Sequence, residues 1–227
     1  MRWATRKYRA DERRNEWPAN KGAHTVIHLI GLAHEAQASP SGAPETEAQE
    51  LYADVLRRTI AAVRPCLVAE EYSEEAEEDN KRRSIGKPIA RASGIDHRFC
   101  DATKVERKQI GYVGTQELHL TISMHDPNWN ISNDEAEAKA WAVCIGRYFA
   151  IREKFWLEKI RDVTHQHVVF VLGDGHIDSF AKLLADEGVR TKLVERGIGL
   201  TAENTFRMEN GLRYLREHPD CVNEQVL

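Results

Sequence analysis

Two short apolar runs in this chain end in the same pattern, Gly-x-x-His, and this repeat constrains the fold more than any other feature. In residues 26–34 and 168–176, Gly31 and Gly173 follow the apolar runs, and each precedes a histidine by three positions. Short runs rich in β-branched residues are typical of buried strands in parallel sheets. Each glycine permits a sharp turn where its strand ends. We therefore expect His34 and His176 at one edge of a sheet, the edge where open α/β folds bind ligands.

The rest of the chain alternates between strand-like and helix-like segments. This order predicts an α/β fold, a single layered domain with a largely parallel central sheet flanked by helices. Predicted strands cover residues 24–30, 66–69, 97–100, 168–172 and 189–194, and predicted helices cover 45–63, 133–163, 178–187 and 202–217. Residues 1–22 are expected to form a flexible basic arm before a domain at 23–227. The charged stretch 73–83 is expected to be a solvated helix or flap, and 109–130 a loop or short helices that form a lid.

Composition limits the classes of function. Hydrophobic residues make up 41% and charged residues 30%, as in ordinary globular proteins. No apolar run approaches the roughly 20 residues of a membrane span, the N-terminal residues lack a secretory signal, and the net charge of -4 does not favour nucleic acid. The four cysteines form no Cys-x-x-Cys pair, which is typical of a reducing compartment. We expect a cytoplasmic protein that acts on a small molecule or a peptide.

Charged and imidazole side chains follow four of the predicted strands: His34 and Glu35, Glu70 and Glu71, Asp101, and His176. In a parallel sheet the ends of these strands lie at the same edge, so we expect the side chains to converge there. Arg152 lies on the apolar stripe of the long predicted helix, four residues after Tyr148 and three before Phe155. A guanidinium on a buried helix face needs a partner, usually a carboxylate.

This combination of residues is suited to a metal-assisted reaction. Neutral imidazoles and carboxylates bind divalent metals such as Mn, Fe, Co and Zn, and an open position on the metal activates water. A carboxylate that does not bind metal would act as a general base. We expect Arg152 to orient a carboxylate or to stabilise negative charge on an intermediate, with Asp101 and Glu35 in assisting roles. Glu70 and Glu71 are adjacent, so the pleat of a strand allows only one of them to face the cleft.

Two familiar motifs begin in this chain but are not completed. His34-Glu35-Ala36-Gln37 begins like the zincin motif H-E-x-x-H, but Ala38 stands where the second histidine would be. Gly173-Asp174-Gly175 begins like a dinucleotide fingerprint, but Asp178 stands at the last glycine position. A zincin helix and a dinucleotide site are therefore not expected.

The strand-end residues resemble those of the superfamily that contains the Tiki metalloproteases, TraB proteins, erythromycin esterases and haem-binding ChaN lipoproteins. The two Gly-x-x-His motifs are residues 31–34 and 173–176, and Arg152 occupies the place of the family's helix arginine. The family glutamate corresponds best to Glu70, with Glu71 as a one-residue alternative. The resemblance implies that both histidines and this glutamate face one cleft.

The resemblance implies three different kinds of activity. Tiki-like members are metal-dependent peptidases, erythromycin esterases cleave an ester with histidine and glutamate, and ChaN-like members bind haem. Our leading expectation is a hydrolase of a peptide or ester bond that depends on a metal. In it, His34 and His176 are metal ligands or acid/base groups, and Glu70 is a metal ligand or the general base. One alternative is a haem-binding protein without turnover, in which the histidines are axial ligands. Another is a protein-interaction module that uses the acidic run 70–79 and the basic N-terminal arm.

Overall fold

The computed structural model describes residues 26–40, 44–79, 81–125, 132–163 and 166–223, except for the side chain of residue 125. The predicted N-terminal arm, residues 1–22, lies outside these ranges. Within them the chain has the predicted α/β fold, with a central parallel sheet flanked by helices.

Two sheets contain the seven strands found in the described residues. The strands are β1 Val26–Leu32, β2 Ala38–Pro40, β3 Leu67–Glu70, β4 Arg82–Ser84, β5 Asp96–Phe99, β6 Val168–Gly173 and β7 Arg190–Ile198. The central sheet has the order β5-β3-β6-β1-β7, and every neighbouring pair in it is parallel. Strands β2 and β4 form a separate antiparallel pair. The carboxyl ends of the five parallel strands therefore share one rim.

Helices cover both faces of the central sheet. They are α1 His34–Gln37, α2 Glu47–Val63, α3 Glu74–Asp79, α4 Gly86–Ala92, α5 Lys104–Ile110, α6 Thr115–His125, α7 Asn133–Val143, α8 Phe149–Ile160, α9 Ile177–Asp186 and α10 Ala202–Glu217. The four helices predicted from periodicity are confirmed, with ends that shift by three residues at most. The stretch expected to be a flap contains α3 and β4, and the stretch expected to be a lid contains α6.

The two faces of the sheet carry separate apolar cores. On one face Leu29 and Phe170 pack with Trp156 of α8. On the other face Ile30 packs with Leu56 of α2. Each of these side chains is almost fully buried, which is worth about 1.5–3 kcal/mol for an aliphatic side chain. The central strands β1 and β6 are covered on both faces, which is why their sequences are continuous apolar runs.

The long helix predicted at residues 133–163 is continuous but changes its pitch. Ser132 caps α7, its Oγ accepting a hydrogen bond from the Glu135 N–H at 3.1 Å. A π-helical turn, Cys144–Tyr148, then joins α7 to α8. Such a turn holds one extra residue and is frequent near functional sites. Here it precedes the turn of α8 that carries Arg152 toward the rim of the sheet.

No helix in the described part of the chain is long and apolar enough to cross a membrane. Cys66, Cys100, Cys144 and Cys221 form no disulfide within the described part of the chain, and three of them are buried. The predicted cytoplasmic location stays a prediction.

Candidate functional site

The two Gly-x-x-His motifs lie side by side at the carboxyl rim of the sheet. Strands β1 and β6 are parallel neighbours, and Leu32 stands opposite Gly173 in their register. His34 begins α1 just after β1, and His176 ends the 3-10 turn Asp174–His176 that follows β6. The structure therefore brings both histidines to the same rim.

Gly31 and Gly173 allow the two motifs to interlock. A Cβ atom at Gly173 would lie 3.1 Å from both Cε1 and Nε2 of His34, so this ring packs on bare backbone. A Cβ atom at Gly31 would lie 2.7 Å from Oδ1 of Asp174, which accepts a hydrogen bond from the Gly197 N–H at 2.8 Å. Each glycine thus makes room for a side chain of the other motif.

Glu71, and not Glu70, is the carboxylate that meets the two histidines. Its Oε1 lies 3.6 Å from Nε2 of His34 and 4.0 Å from Nε2 of His176. Glu70 turns to the opposite side because successive side chains at the end of β3 alternate in direction. Its Oε1 lies 2.6 Å from Nε2 of His97 instead. The expectation that Glu70 serves the histidine cleft is therefore corrected to Glu71, and we define the rim cluster as His34, Glu71, Arg152 and His176.

Two groups fix the carboxylate of Glu71, whose side chain is fully buried. Its Oε2 accepts a hydrogen bond from the Gly173 backbone N–H at 2.6 Å, and its Oε1 lies 2.5 Å from Nη1 of Arg152. The second contact is an ion pair and not a hydrogen bond, since none of the described residues donates a hydrogen bond to Oε1. A buried carboxylate needs such compensation to stay ionised. Oε1 of Glu71 thus accepts no hydrogen bond from the described residues, and it lies near both imidazoles.

Asp101 fixes the guanidinium of Arg152. Nε and Nη2 of Arg152 each donate to Asp101 at 2.8 Å, a bidentate pair of high geometric specificity. Nη2 of Arg107 and Nε1 of Trp156 also donate to Asp101, at 2.9 Å and 3.4 Å. Asp101 is buried, and its carboxylate is occupied by these donors. Its place in the structure is that of an anchor for Arg152 and not of a group open to substrate.

The charges of this pair stabilise each other. Burial alone would raise the pKa of Asp101, but Arg152 and then Arg107 outweigh it and hold the pKa well below its ordinary value. Burial would lower the pKa of Arg152, but Asp101 and Glu71 outweigh it and raise the pKa well above its ordinary value. Both groups are therefore ionised at neutral pH. Arg152 also contacts the carboxylate of Glu71, and its expected role toward a carboxylate or an intermediate stays a prediction.

His176 is enclosed by aromatic side chains. Its ring centroid lies 3.6 Å from that of Phe149, at an angle of 31°, and 4.8 Å from that of Trp156. Burial, followed by the charge of Arg152, lowers the pKa of His176 well below its ordinary value. The imidazole is therefore neutral at pH 7, and its Nε2 lies 3.4 Å from Nη1 of Arg152.

Glu153 is a functional candidate that the sequence reasoning did not identify. Its Oε1 lies 2.8 Å from Nδ1 of His176, and it accepts a hydrogen bond from Oγ of Ser179 at 2.5 Å. Burial raises the pKa of Glu153 to about 8, with a contribution from Glu71 that the Ser179 hydrogen bond opposes. A protonated Glu153 donates to Nδ1 and an ionised Glu153 accepts from Nδ1–H, so its protonation selects the tautomer of His176.

His34 is the member of the rim cluster that faces solvent. Its side chain is 58% exposed, whereas those of Glu71, Arg152 and His176 are 11% exposed or less. The neighbouring Glu35 is also exposed. The backbone carbonyl of Glu35, and not its carboxylate, accepts hydrogen bonds from α2 and β4. Of the two imidazoles in the rim cluster, that of His34 is therefore the one that a molecule in solution can reach.

The rim cluster does not suit a divalent metal. Two of the atoms that would bind it, Oε1 of Glu71 and Nε2 of His176, already have a cation beside them, because Nη1 of Arg152 lies 2.5 Å from Oε1 and 3.4 Å from Nε2. A metal ion bound to these atoms would meet the charge of this guanidinium. The described residues contain no group of three or more His, Cys, Asp or Glu side chains arranged to hold a metal ion. Glu70, the third predicted ligand, faces the other side of the sheet.

The cluster also does not offer both histidines as free axial ligands for haem, the arrangement that the alternative expected. His34 is open, but both ring nitrogens of His176 are engaged, Nδ1 by Glu153 and Nε2 by Arg152. An axial ligand needs a free nitrogen directed into an open pocket. The expected haem site stays a prediction that this contact pattern does not support.

Glu70 belongs to a second buried polar group on the opposite side of the sheet. Its Oε1 accepts from Oγ of Ser84 at 2.6 Å and contacts Nε2 of His97, and its Oε2 accepts from Nε2 of Gln37 at 3.2 Å. The hydroxyl of Tyr52 lies near this carboxylate and has no hydrogen-bond partner among the described residues. The group joins β3 to the small sheet and to β5.

The acidic run expected to attract a partner is partly neutralised within the chain. In α3, Glu75 and Asp79 contact Nζ of Lys104, and Glu77 contacts Nζ of Lys87 at 2.8 Å. These ion pairs reduce the negative charge that α3 offers to another molecule. An interaction role stays a prediction, and the basic arm that it also invokes lies outside the described residues.

A comparison of the chain with protein-family models, curated proteins and solved structures finds no match.

Proposed function

We propose that this protein is a hydrolase that cleaves an ester or peptide bond at the rim of the sheet, with His34 as the general base. The observation that carries the proposal is the placement of the buried Glu71 Oε1 at 3.6 Å from Nε2 of the exposed His34. At this distance the contact is longer than a hydrogen bond, so Glu71 acts on His34 through its negative charge, which favours a positive charge on the accessible imidazole during the reaction. Glu71 is itself held by Gly173 and Arg152, so the pair is rigid on its buried side.

The reaction follows from the two nitrogens of His34. With the proton of the neutral ring on Nε2, beside Glu71, Nδ1 accepts a proton from a water molecule. The water oxygen forms a bond to the substrate carbonyl carbon, and the resulting imidazolium is stabilised by Glu71. Nδ1 then gives this proton to the departing oxygen or nitrogen as its bond to the carbonyl carbon breaks. Protons and electron pairs balance without a further reactant.

The geometry supports kinship with the TraB/Tiki superfamily as part of the proposal, and favours its esterase-like chemistry over its metal-dependent chemistry. The two motifs and Arg152 lie in one cluster, as the resemblance implies, with Glu71 in the place of the family glutamate. Because the guanidinium of Arg152 already contacts two of the candidate metal ligands, Glu71 and His176, we propose hydrolysis by histidine and glutamate without a metal.

The test uses His34→Gln, with His218→Gln as the matched control. His218 is an exposed histidine at the end of α10, where it packs on Tyr214. The probes are p-nitrophenyl acetate, p-nitrophenyl butyrate and a quenched fluorescent peptide mixture. We expect His34→Gln to lower kcat/KM by about 10²–10⁴-fold, the usual contribution of a general base, without a change in melting temperature.

Two results would overturn the proposal. One is the absence of hydrolysis of every probe by the wild-type protein. The other is an equal rate for His34→Gln and the wild type, which would mean that the activity arises elsewhere. The control variant His218→Gln is expected to match the wild type for each probe.

A further inference from the structure

Two histidines meet at the amino ends of the central strands, on the opposite edge of the sheet from the rim cluster. His28 is the third residue of β1, and His167 directly precedes β6. Their rings approach each other, with Nε2 of His28 3.2 Å from Nδ1 of His167. Neither imidazole takes part in the proposed hydrolysis.

The fold holds both rings in this arrangement. Val169 stands opposite His28 in the register of β1 and β6, and His167, two residues before Val169, lies on the same face of the sheet. The carbonyl of His167 accepts a hydrogen bond from the Cys66 N–H at 2.9 Å, which ties its backbone to the residue before β3. His28 is only 5% exposed, whereas His167 is exposed, so the pair opens to solvent on the His167 side.

The distance between the two nitrogens is that of one particular coordination geometry. Two nitrogens bound to a tetrahedral zinc ion lie about 3.3 Å apart, because zinc–nitrogen bonds measure about 2.0 Å. In a square-planar site with bonds of the same length, neighbouring nitrogens would lie about 2.8 Å apart. The observed 3.2 Å is closer to the tetrahedral value.

The surroundings of His28 keep its ring neutral, as a metal ligand must be. Burial lowers the pKa of His28, and the neighbouring His167 and Lys192 lower it further. A neutral ring with its proton on Nδ1 leaves the lone pair of Nε2 for a metal. Nδ1 of His28 has no hydrogen-bond partner among the described residues, so no contact there opposes this tautomer.

We propose that His28 and His167 are two ligands of a zinc ion that joins β1 to β6, with water completing the tetrahedron. The described residues hold no third His, Cys, Asp or Glu side chain arranged with this pair to bind a metal. A cleft of about 320 Å³ between α2 and β7 reaches His28, which leaves room for water ligands. The proposal is independent of the hydrolase function, because the two sites share no residue.

The sequence is unusually rich in histidine at this edge of the sheet. Four of the ten histidines of the chain fall within residues 24–28 and 165–167. Clusters of histidine are typical of metal-binding segments, whereas strands are usually rich in β-branched and aromatic residues. His24 and His165 lie outside the described residues, and the proposed site is defined by His28 and His167 alone.

The charges of the cleft make a specific prediction about the affinity. Glu195 lines the cleft and attracts a cation, whereas Arg58 and Lys192 line it and oppose one. Lys192 stands opposite His28 in the register of β1 and β7, and its charge acts on the His28 ring. Removal of this charge is therefore expected to strengthen metal binding.

The first test is a titration with Co²⁺, which replaces zinc in tetrahedral sites and absorbs visible light there. The untagged, metal-free wild type is compared with His28→Gln, His167→Gln and, as the matched control, His34→Gln. We expect the wild type and His34→Gln to bind one Co²⁺ with a visible band that Zn²⁺ abolishes. His28→Gln and His167→Gln are each expected to bind at least about tenfold more weakly, since each loses one of two protein ligands.

Three results of this titration would overturn the proposal. The first is the absence of a visible band in the wild type. The second is wild-type affinity in His167→Gln, whose exposed side chain keeps the test valid if replacement of the buried His28 unfolds the protein. The third is loss of binding in His34→Gln, which would place the metal at the rim cluster instead.

The second test measures the effect of Lys192 on the same titration at low salt. Lys182→Gln is the matched control, because Lys182 is exposed on α9 and pairs with Asp186. We expect Lys192→Gln to bind Co²⁺ about threefold more tightly or better, and Lys182→Gln to match the wild type. Affinity that is unchanged or weaker in Lys192→Gln would overturn a metal site beside this residue.

The third test separates the zinc site from the hydrolase proposal. Saturating Zn²⁺ is expected to raise the melting temperature of the wild type and of His34→Gln, but not of His167→Gln. No rise in the wild type would overturn the zinc site and leave the hydrolase function in place. Since melting and Co²⁺ binding are measured without substrate, failure of every hydrolysis assay would leave the zinc site standing.

Discussion

His34 rests on Gly173 so closely that a Cβ atom there would lie 3.1 Å from two atoms of the imidazole ring. Gly173 has a φ of -59°, which any residue adopts, so alanine adds only steric contacts, with His34 and, at 3.3 Å, with Oε2 of Glu71. We predict that Gly173→Ala displaces the exposed ring of His34, which is free to move, and lowers kcat/KM about tenfold. The melting temperature is expected to change little. Ester kinetics and differential scanning fluorimetry on the same preparation measure both effects.

Gly31→Ala, in the other motif, is expected to reduce stability, which Gly173→Ala is not. Its Cβ would lie 2.7 Å from Oδ1 of Asp174 and 2.9 Å from Cγ1 of Ile177, and both side chains are buried. Since neither can move away, we predict a loss of about 1–3 kcal/mol in the free energy of unfolding. Urea unfolding measures it. A larger loss of stability for Gly173→Ala than for Gly31→Ala would contradict this account of the two glycines.

Glu71 and Glu70 are adjacent in sequence and are predicted to differ in the effect of an isosteric change. Glu71→Gln removes the charge behind His34, so we expect kcat/KM to fall by about 10²-fold or more. Glu70→Gln removes the charge facing His97 and is expected to lower the free energy of unfolding while leaving kcat within a few-fold. Paired kinetic and urea measurements on the two variants test this. A loss of activity in Glu70→Gln alone would restore Glu70 as the functional carboxylate.

Removal of metal is predicted to leave activity unchanged. Nη1 of Arg152 lies 2.5 Å from Oε1 of Glu71 and 3.4 Å from Nε2 of His176, so a second cation bound to these atoms would meet repulsion. Elemental analysis of the purified protein, before and after dialysis against a chelator, is compared with ester kinetics on the same samples. Stoichiometric metal in the wild type that is absent from a His34→Ala/His176→Ala double variant, with activity lost on chelation, would refute the metal-free mechanism.

Protonation of Glu153 predicts a specific dependence of stability on pH. Burial raises the pKa of Glu153 to about 8, from an ordinary value of 4.5. Between these values the unfolded chain loses the proton before the folded protein does. The free energy of unfolding therefore falls as pH rises through this window, by up to about 1.4 kcal/mol per unit.

The effect is isolated by comparison with Glu153→Gln. His176 acts in the opposite sense below pH 6.5, because burial and Arg152 lower its pKa and only the unfolded chain takes up the proton. Urea unfolding of both proteins from pH 6.5 to 8.5 avoids this overlap. We expect the stability of the wild type, relative to Glu153→Gln, to fall as pH rises. Parallel curves would mean that Glu153 is ionised throughout.

The parallel sheet was predictable because the local sequences of its central strands are typical of buried strands, whatever packs beside them. Strands β1 and β6 are continuous β-branched runs closed by glycine, and the long helix has a clear apolar stripe. The separate pair β2 and β4 was not predicted, since these strands have three residues each and form through contacts that are distant in sequence. Their formation depends on tertiary packing more than on local propensity.

The candidate site was predictable in its location and only partly in its members. The choice between Glu70 and Glu71 depends on where β3 ends, and one residue reverses the direction of a side chain. The sequence indicates Glu153 in the same way as Arg152: it is a charged residue on the apolar stripe, four residues after Phe149 and three before Trp156. The role of Asp174 had no local signal, since its partner Gly197 lies 23 residues further on.

The π-helical turn at Cys144–Tyr148 makes the site dependent on helix length. One residue turns an α-helix by about 100°, so an inserted residue rotates everything that follows it about the helix axis. The side chains before the turn pack against α6 and α10, whereas Trp156, after it, packs on the sheet. A chain with one residue fewer in this turn would keep its helix but aim Arg152 away from Glu71. The geometry of the rim cluster thus depends on the rotation that this turn adds to the helix as well as on the identity of the residues.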